Sequence, residues 1–150
     1  MIRIIAIGKK HDSWIEDGLL RYQKRLRAPF NVEWQLLPYS TKSHQEARDS
    51  ESEAIMTRIK PGDFVLLLDE RGKNLSSPEF SRLIEREAGQ KPIVIVIGGA
   101  YGVNDAIMQR ANIVWSLSRL VFPHMLVRLL LTEQLYRAQE IARGGPYHHN

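Results

Sequence analysis

The sequence predicts an α/β domain built on a mainly parallel sheet with helices on both faces. Three observations carry this. Strand-like and helix-like segments alternate along the whole chain, the order that parallel sheets require. Two of the strand-like runs, DFVLLLD at 63–69 and KPIVIVIGG at 91–99, are continuously apolar, which suits strands covered on both faces. Hydrophobic residues make up 43% of the chain and charged residues 25%, an ordinary globular composition. With 150 residues, the simplest organisation is one domain, 1–150, large enough to bury roughly 70% of its unfolded surface.

The elements follow in order. MIRIIAIG, rich in β-formers, is the first strand. SWIEDGLLRYQKRL spaces Trp14, Leu19, Tyr22 and Leu26 near a helical repeat, with Ser13 as the cap. VEWQLLP is a second strand closed by Pro38. Residues 41–59 read as a polar, solvent-facing helix with few apolar residues in its front half, broken by Pro61-Gly62. DFVLLLD is the third strand. Ser77 caps the next helix and Pro78 takes its first position. KPIVIVIGG is the fourth strand, NDAIMQRA a short helix started by Asn104, and NIVWSLS, 112–118, the fifth strand. A long helix starts at Pro123. The third and fourth strands belong near the centre of the sheet. Ligands of such sheets sit at the C-terminal ends of the strands, here LLLDERGK, IGGAYGV and SLSRLVFPH.

There are no cysteines, so disulfides and thiolate zinc sites are excluded. The His residues are not spaced as ligands of a shared metal, and no metal is expected. The apolar N-terminal run is too short for a signal peptide, and nothing approaches the ~20 apolar residues of a membrane span. A cytoplasmic location is expected. A formal charge of +4 and a pI of about 9.5 are compatible with a nucleic-acid partner without demanding one. No dense Lys/Arg tract is present.

Gly98 and Gly99 end a buried strand, where missing side chains let a ligand approach the backbone; a plain strand-to-helix turn reads equally well. The motif is not a P-loop, since no Lys-Ser/Thr follows. It is also a poor dinucleotide fingerprint, because the next strand ends in Ser116-Leu117-Ser118 and not in an acidic residue. Asp69 and Glu70 point opposite ways on an extended backbone, so a turn residue plus a solvated charge is the favoured reading; Arg71-Gly72-Lys73 beside them suits a phosphate. Glu133 and Arg137 stand at i and i+4 in the favourable order. Arg128 lies among Val127, Leu129, Leu130 and Leu131. Either it snorkels, or it holds a fixed anionic partner or crosses a subunit interface. The tail GGPYHHN reads, by composition, as frayed.

LLLDERGK, VIGGAYGV, SLSRLVFPHMLVRLLLTEQLYRA and GGPYHH, in that order and spacing, resemble the RlmH family, bacterial methyltransferases of the SPOUT superfamily. The resemblance runs the whole length of the chain. It implies a C-terminal trefoil knot, S-adenosylmethionine as cofactor, and methylation of ring nitrogen 3 of a pseudouridine in large-subunit ribosomal RNA. The matching cofactor positions are Leu68, Gly98, Gly99, Ser116, Leu117, Ser118, Arg119, Leu120, Val121 and Phe122. Cofactor binding largely by backbone groups, as in SPOUT enzymes, would explain the absent acidic ribose ligand. The family is a homodimer with each active site formed across the interface. Tyr147 and His148 match its terminal Tyr-His, expected to fold over the neighbour's cofactor. His149-Asn150 stands where relatives often carry a basic residue.

An imide nitrogen must lose its proton to accept a methyl group. His148 is the candidate base, since an unperturbed His titrates near ~6.5. Arg137 is the candidate to steady developing charge on the uracil carbonyls, and Tyr147 to stack on the base or cofactor. A domain this small, with no appended RNA-binding module, is expected to act on the assembled ribosome. The runner-up is a non-catalytic ribosome-binding or assembly factor; a third reading is a SPOUT methyltransferase acting on another RNA.

Overall fold

The computed structural model describes residues 1–149. Five strands, β1 (Ile2–Ile7), β2 (Val32–Leu37), β3 (Phe64–Lys73), β4 (Ile93–Ile97) and β5 (Ile113–Trp115), alternate with five helices. The helices are α1 (Ser13–Gln23), α2 (His44–Met56), α3 (Ser77–Ala88), α4 (Asp105–Arg110) and α5 (His124–Ala142). The strand order is β2-β1-β4-β3-β5 and every pair is parallel, so the sheet is wholly parallel. β4 takes the central position with β3 beside it, as the apolar runs predict.

Period-2 alternation divides the strand side chains between two cores. Ile4, Leu66 and Ile95 point into a layer completed by Phe80, Ile84, Leu131 and Leu135 of α3 and α5. Ile5, Leu67 and Val96 point to the opposite side, where Ile55 of α2 and Ile107 of α4 close the second layer. Helices therefore cover both faces. Among the described residues, no helix is long and apolar enough to cross a membrane.

Several local expectations are corrected. α1 is capped by Asp12 without a side-chain bond, and its buried residues are Ile15 and Leu19; Trp14 is 59% exposed. α2 is not simply solvent-facing. Ala47, Glu51 and Ile55 recur every fourth residue and bury one stripe, with Ser52 beside it. α3 is capped by Ser76, not Ser77: Ser76 and Glu79 form a reciprocal capping box. The Ser77 hydroxyl instead donates to Gln134 of α5 at 2.7 Å. The fifth strand stops at Trp115, because Ser116 and Ser118 curl the chain with their own hydroxyls: Ser116 Oγ donates to the Ser118 carbonyl (2.7 Å) and Ser118 Oγ accepts from Leu120 N–H (3.0 Å). Asn104 caps α4 as expected, accepting from Ile107 N–H.

Candidate functional site

β3 runs past the strand end predicted for it. The ladder with β5 shifts register between Leu68 and Lys73, so Asp69–Gly72 bulge outward at the sheet's C-terminal edge. Gly72 makes this possible. A Cβ there would lie 2.5 Å from the backbone of Val114, a contact no side chain tolerates. Arg71 does not stand ready for a phosphate. It donates from Nε to Asp69 Oδ1 at 2.8 Å and from Nη2 to Oδ2 at 2.9 Å, and this pairing holds the Asp69 carboxyl below its usual range.

Behind the bulge lies a cavity of about 810 Å³, bounded by the ends of β3 and β4, the 98–103 turn, the 116–122 loop and the start of α5. Nine of the ten residues expected to hold a cofactor line it: Leu68, Gly98, Gly99, Ser116, Leu117, Ser118, Leu120, Val121 and Phe122. Arg119 does not; its neighbours alone turn toward the cavity. Leu120 and Val121 are 70% and 81% exposed, an apolar lip at the mouth. The glycines are there for close approach: a Cβ at Gly98 would meet the Val103 side chain at 2.9 Å, and one at Gly99 would meet the Glu51 carboxylate at 2.5 Å.

Residue-type reasoning missed three members of this wall. Trp115 stacks on Phe80 with ring centroids 4.4 Å apart, and its buried indole N–H has no hydrogen-bond partner. Tyr101 sits on the glycine turn. His124, first residue of α5, reaches back to the Ile7 carbonyl with Nε2 at 2.9 Å. Its place at the end of the SLSRLVFPH segment, directly before the long helix, is the one signal that points to His124; nothing local marks Trp115.

Arg128 lies one turn beyond His124 and is fully buried, so it does not snorkel. Nη2 donates to the carbonyls of Ile7 (2.9 Å) and Gly8 (3.2 Å), and Nη1 to the carbonyl of Lys10 and to His11 Nδ1, both at 3.1 Å. The expectation of an anionic partner is corrected: among the described residues, no carboxylate pairs with it. Carbonyl oxygens at the end of β1 carry the compensation. Gly8, at φ +119°, opens the space, since a Cβ there would lie 2.9 Å from Nη2. Burial and the neighbouring guanidinium both push His11 and His124 below the usual imidazole range.

The expected catalytic residues gather elsewhere. Arg137 donates to Glu133 Oε1 from Nε at 2.9 Å and contacts His148 Nδ1 through Nη1 at 3.1 Å. Its guanidinium lies 4.7 Å from the Tyr147 ring centroid. Tyr147 donates to Glu133 at 3.2 Å and packs edge-on against Tyr136 at 4.8 Å. The tail is therefore not frayed through His148: Gly144, at φ +70°, turns it back and Gly145 N–H bonds the Glu140 carbonyl. Glu133–Arg137 is more than a solvated pair, because it anchors that tail. Asn150 lies outside the described residues. None of Arg137, Tyr147 and His148 lines the cavity; from His124 to Arg137 the helix rises about 20 Å at ~1.5 Å per residue.

A family model described as a predicted SPOUT methyltransferase matches residues 1–148. The chain belongs to that family. It is 38% identical over 156 residues to the ribosomal RNA large subunit methyltransferase H of Desulfitobacterium hafniense (strain DSM 10664 / DCB-2), covering 98% of each chain. It is 44% identical over 147 residues to the protein of the same name from Synechococcus sp. (strain RCC307), covering 98% of this chain and 93% of that one. Its fold is similar to a probable methylase family protein from Haemophilus influenzae Rd KW20, with a TM-score of 0.50 and 16% identity over 95% of this chain and 66% of that one. As a SPOUT methyltransferase the protein uses S-adenosylmethionine, and the cavity fits such a group. It offers apolar walls from Leu68, Ile97 and Leu117, the side-chain-free Gly98 and Gly99, and the Glu70 carboxylate at the mouth.

Proposed function

We propose that this protein methylates ring nitrogen 3 of a pseudouridine in large-subunit ribosomal RNA, acting in the cytoplasm on the assembled ribosome as a homodimer. The whole chain serves as one methyltransferase domain, with the family's trefoil knot in its C-terminal half. The observation that carries this reading is the split of the site. Nine expected cofactor residues share one cavity, while the tail residues Tyr147 and His148 gather on Arg137 of α5, about 20 Å along the helix from His124. Two copies with α5 helices antiparallel would bring one chain's tail over the other's cavity. The exposed Leu120 and Val121 at its lip, with Met125, Leu126 and Leu130 half-buried on α5, supply the apolar surface for that contact.

S-adenosylmethionine supplies an electrophilic methyl group on a sulfonium sulfur. The chain's own residues must place the nucleobase and take its imide proton. Arg137 can only donate, so His148 Nδ1 accepts from it and the neutral ring carries its proton on Nε2. When a uracil carbonyl takes over the Arg137 N–H, Nδ1 is released to accept the imide proton, and the guanidinium faces the developing negative charge. Glu133 fixes Arg137 from the other side. Tyr147, its pKa pushed up to about 12 by burial and the Glu133 charge, stays a neutral ring for stacking at working pH.

The test is methyl transfer from labelled cofactor to ribosomes lacking the modification, beside protein-free ribosomal RNA and an enzyme truncated before Tyr147. Label on nitrogen 3 of one pseudouridine of the intact ribosome, lost on truncation, is expected. Cofactor binding with no label on either substrate would sink the reading in favour of a binding factor or of a methyltransferase acting on another RNA.

A further inference from the structure

The tail cluster does not end at Arg137. Tyr147 packs on Tyr136, Tyr136 lies 5.8 Å from Tyr22, and the Arg25 guanidinium sits 6.0 Å from the Tyr136 ring centroid. Around Tyr22 the chain reads RYQKRLR, placing Arg21, Lys24, Arg25 and Arg27 within residues 21–27. These four cations within seven residues correct the expectation that no dense Lys/Arg tract is present. All four are exposed, and among the described residues none is in an ion pair. Lys24, Arg25 and Arg27 border a groove of about 620 Å³ shared with Arg143, Glu85 and Glu140, and Arg21 adjoins Lys24 and Arg25 along α1; Glu140 is already engaged by Arg143 at 3.6 Å.

The groove is built, not incidental. Gln139, 2% exposed, accepts from Arg27 N–H at 2.6 Å and donates to the Arg25 carbonyl at 3.0 Å. It clamps the basic segment to α5, the helix that carries Arg137. Cations alternating with aromatic rings on one fixed surface are what single-stranded nucleic acid binds: phosphates meet the cations and bases stack on the rings. A second copy of the chain fits this surface worse, because it would meet like charges.

We propose that the strip from Arg21 through Tyr136 to Tyr147 is the RNA-docking surface, with Arg21, Lys24 and Arg25 holding backbone phosphates of the unpaired ribosomal RNA that flanks the target nucleotide. The proposal rests on the ribosomal reading above and names its contact residues. In the dimer, this surface flanks the tail and hence the partner's cavity.

The experiment compares wild type with the triple variant R21Q/K24Q/R25Q and a charge-matched control, K42Q/K60Q/K91Q. Binding to 70S ribosomes is measured as a function of salt, together with methyl transfer and oligomeric state. Three lost phosphate contacts should lower the slope of log affinity against log salt by about 2. The ribosome KM should rise at least about tenfold, with cofactor affinity and dimerisation unchanged and the control near wild type. A triple variant with wild-type affinity and slope overturns the proposal while leaving the methyltransferase reading intact. A triple variant that loses dimerisation overturns it too, assigning the surface to the second copy. Wild type that binds ribosomes without transferring methyl defeats the methyltransferase reading, yet the slope comparison still decides the docking surface. Wild type that neither binds nor methylates overturns both.

Discussion

Arg128 joins the start of α5 to the end of β1, donating to three carbonyls and one imidazole. Removing it strips the buried Gly8 carbonyl of its guanidinium donor and takes one of two side-chain donors from Ile7, the expensive half of a broken polar contact. Arg128→Leu should therefore lower stability by about 3 kcal/mol in urea unfolding. It should also weaken cofactor affinity, because His124 and Val127 on the same turn line the cavity. Unchanged stability would mean the guanidinium is dispensable to the wall. The two imidazoles beside it give a pH dependence. Their folded-state values lie below 6.5, so between those values and 6.5 the unfolded chain binds more protons, and stability falls as pH falls. Thermal unfolding should show the melting temperature dropping from pH 7.5 to 5.5, and dropping less in a His11→Asn, His124→Asn double variant. Equal drops would place the titration elsewhere.

At the scale of elements, the start of α3 separates two adjacent serines. Ser76→Ala breaks the capping box and should cost about 1 kcal/mol. Ser77→Ala removes one hydrogen bond to Gln134 and should cost less. The order of the two urea midpoints checks the cap, and the reverse order would put it at Ser77. Ser-Ser-Pro-Glu already favours Ser76, because Glu79 stands three residues after it as a capping box requires; the Ser77 side chain is then free to turn toward α5. β5 is a related case. NIVWSLS has strand composition to its end, but hydroxyl-to-backbone bonds at Ser116 and Ser118 compete with the ladder and make the loop that lines the cavity.

On the whole molecule, cavity and tail lie too far apart on α5 to meet within one chain, which makes a complementation test sharp. A tail-truncated chain and a chain carrying Gly98→Trp, whose side chain would fill the cavity, should each be inactive as homodimers. Mixed and re-equilibrated, they should recover about a quarter to a half of wild-type transfer, because one of the two sites in each heterodimer keeps both halves. No recovery in verified heterodimers would place tail and cavity function within one chain.

Local chemistry determined the strands, the helix order and the two-faced burial of the sheet, because period and composition are properties of short segments. The loop that lines the cavity was legible for the same reason: strand ends in a parallel sheet converge wherever the glycines and the turn lie. The identities of Arg137, Tyr147 and His148 came from motif resemblance, and spacing alone left them an ion pair and a frayed end. Tertiary structure decided what depends on which distant segment arrives. Carbonyls of β1 and not a carboxylate receive Arg128, Trp115 joins the wall, Ser77 turns toward α5, and residues 21–27 come to lie beside the tail. Each is a contact across tens of residues, and its energy belongs to a pair of segments that no window of sequence contains.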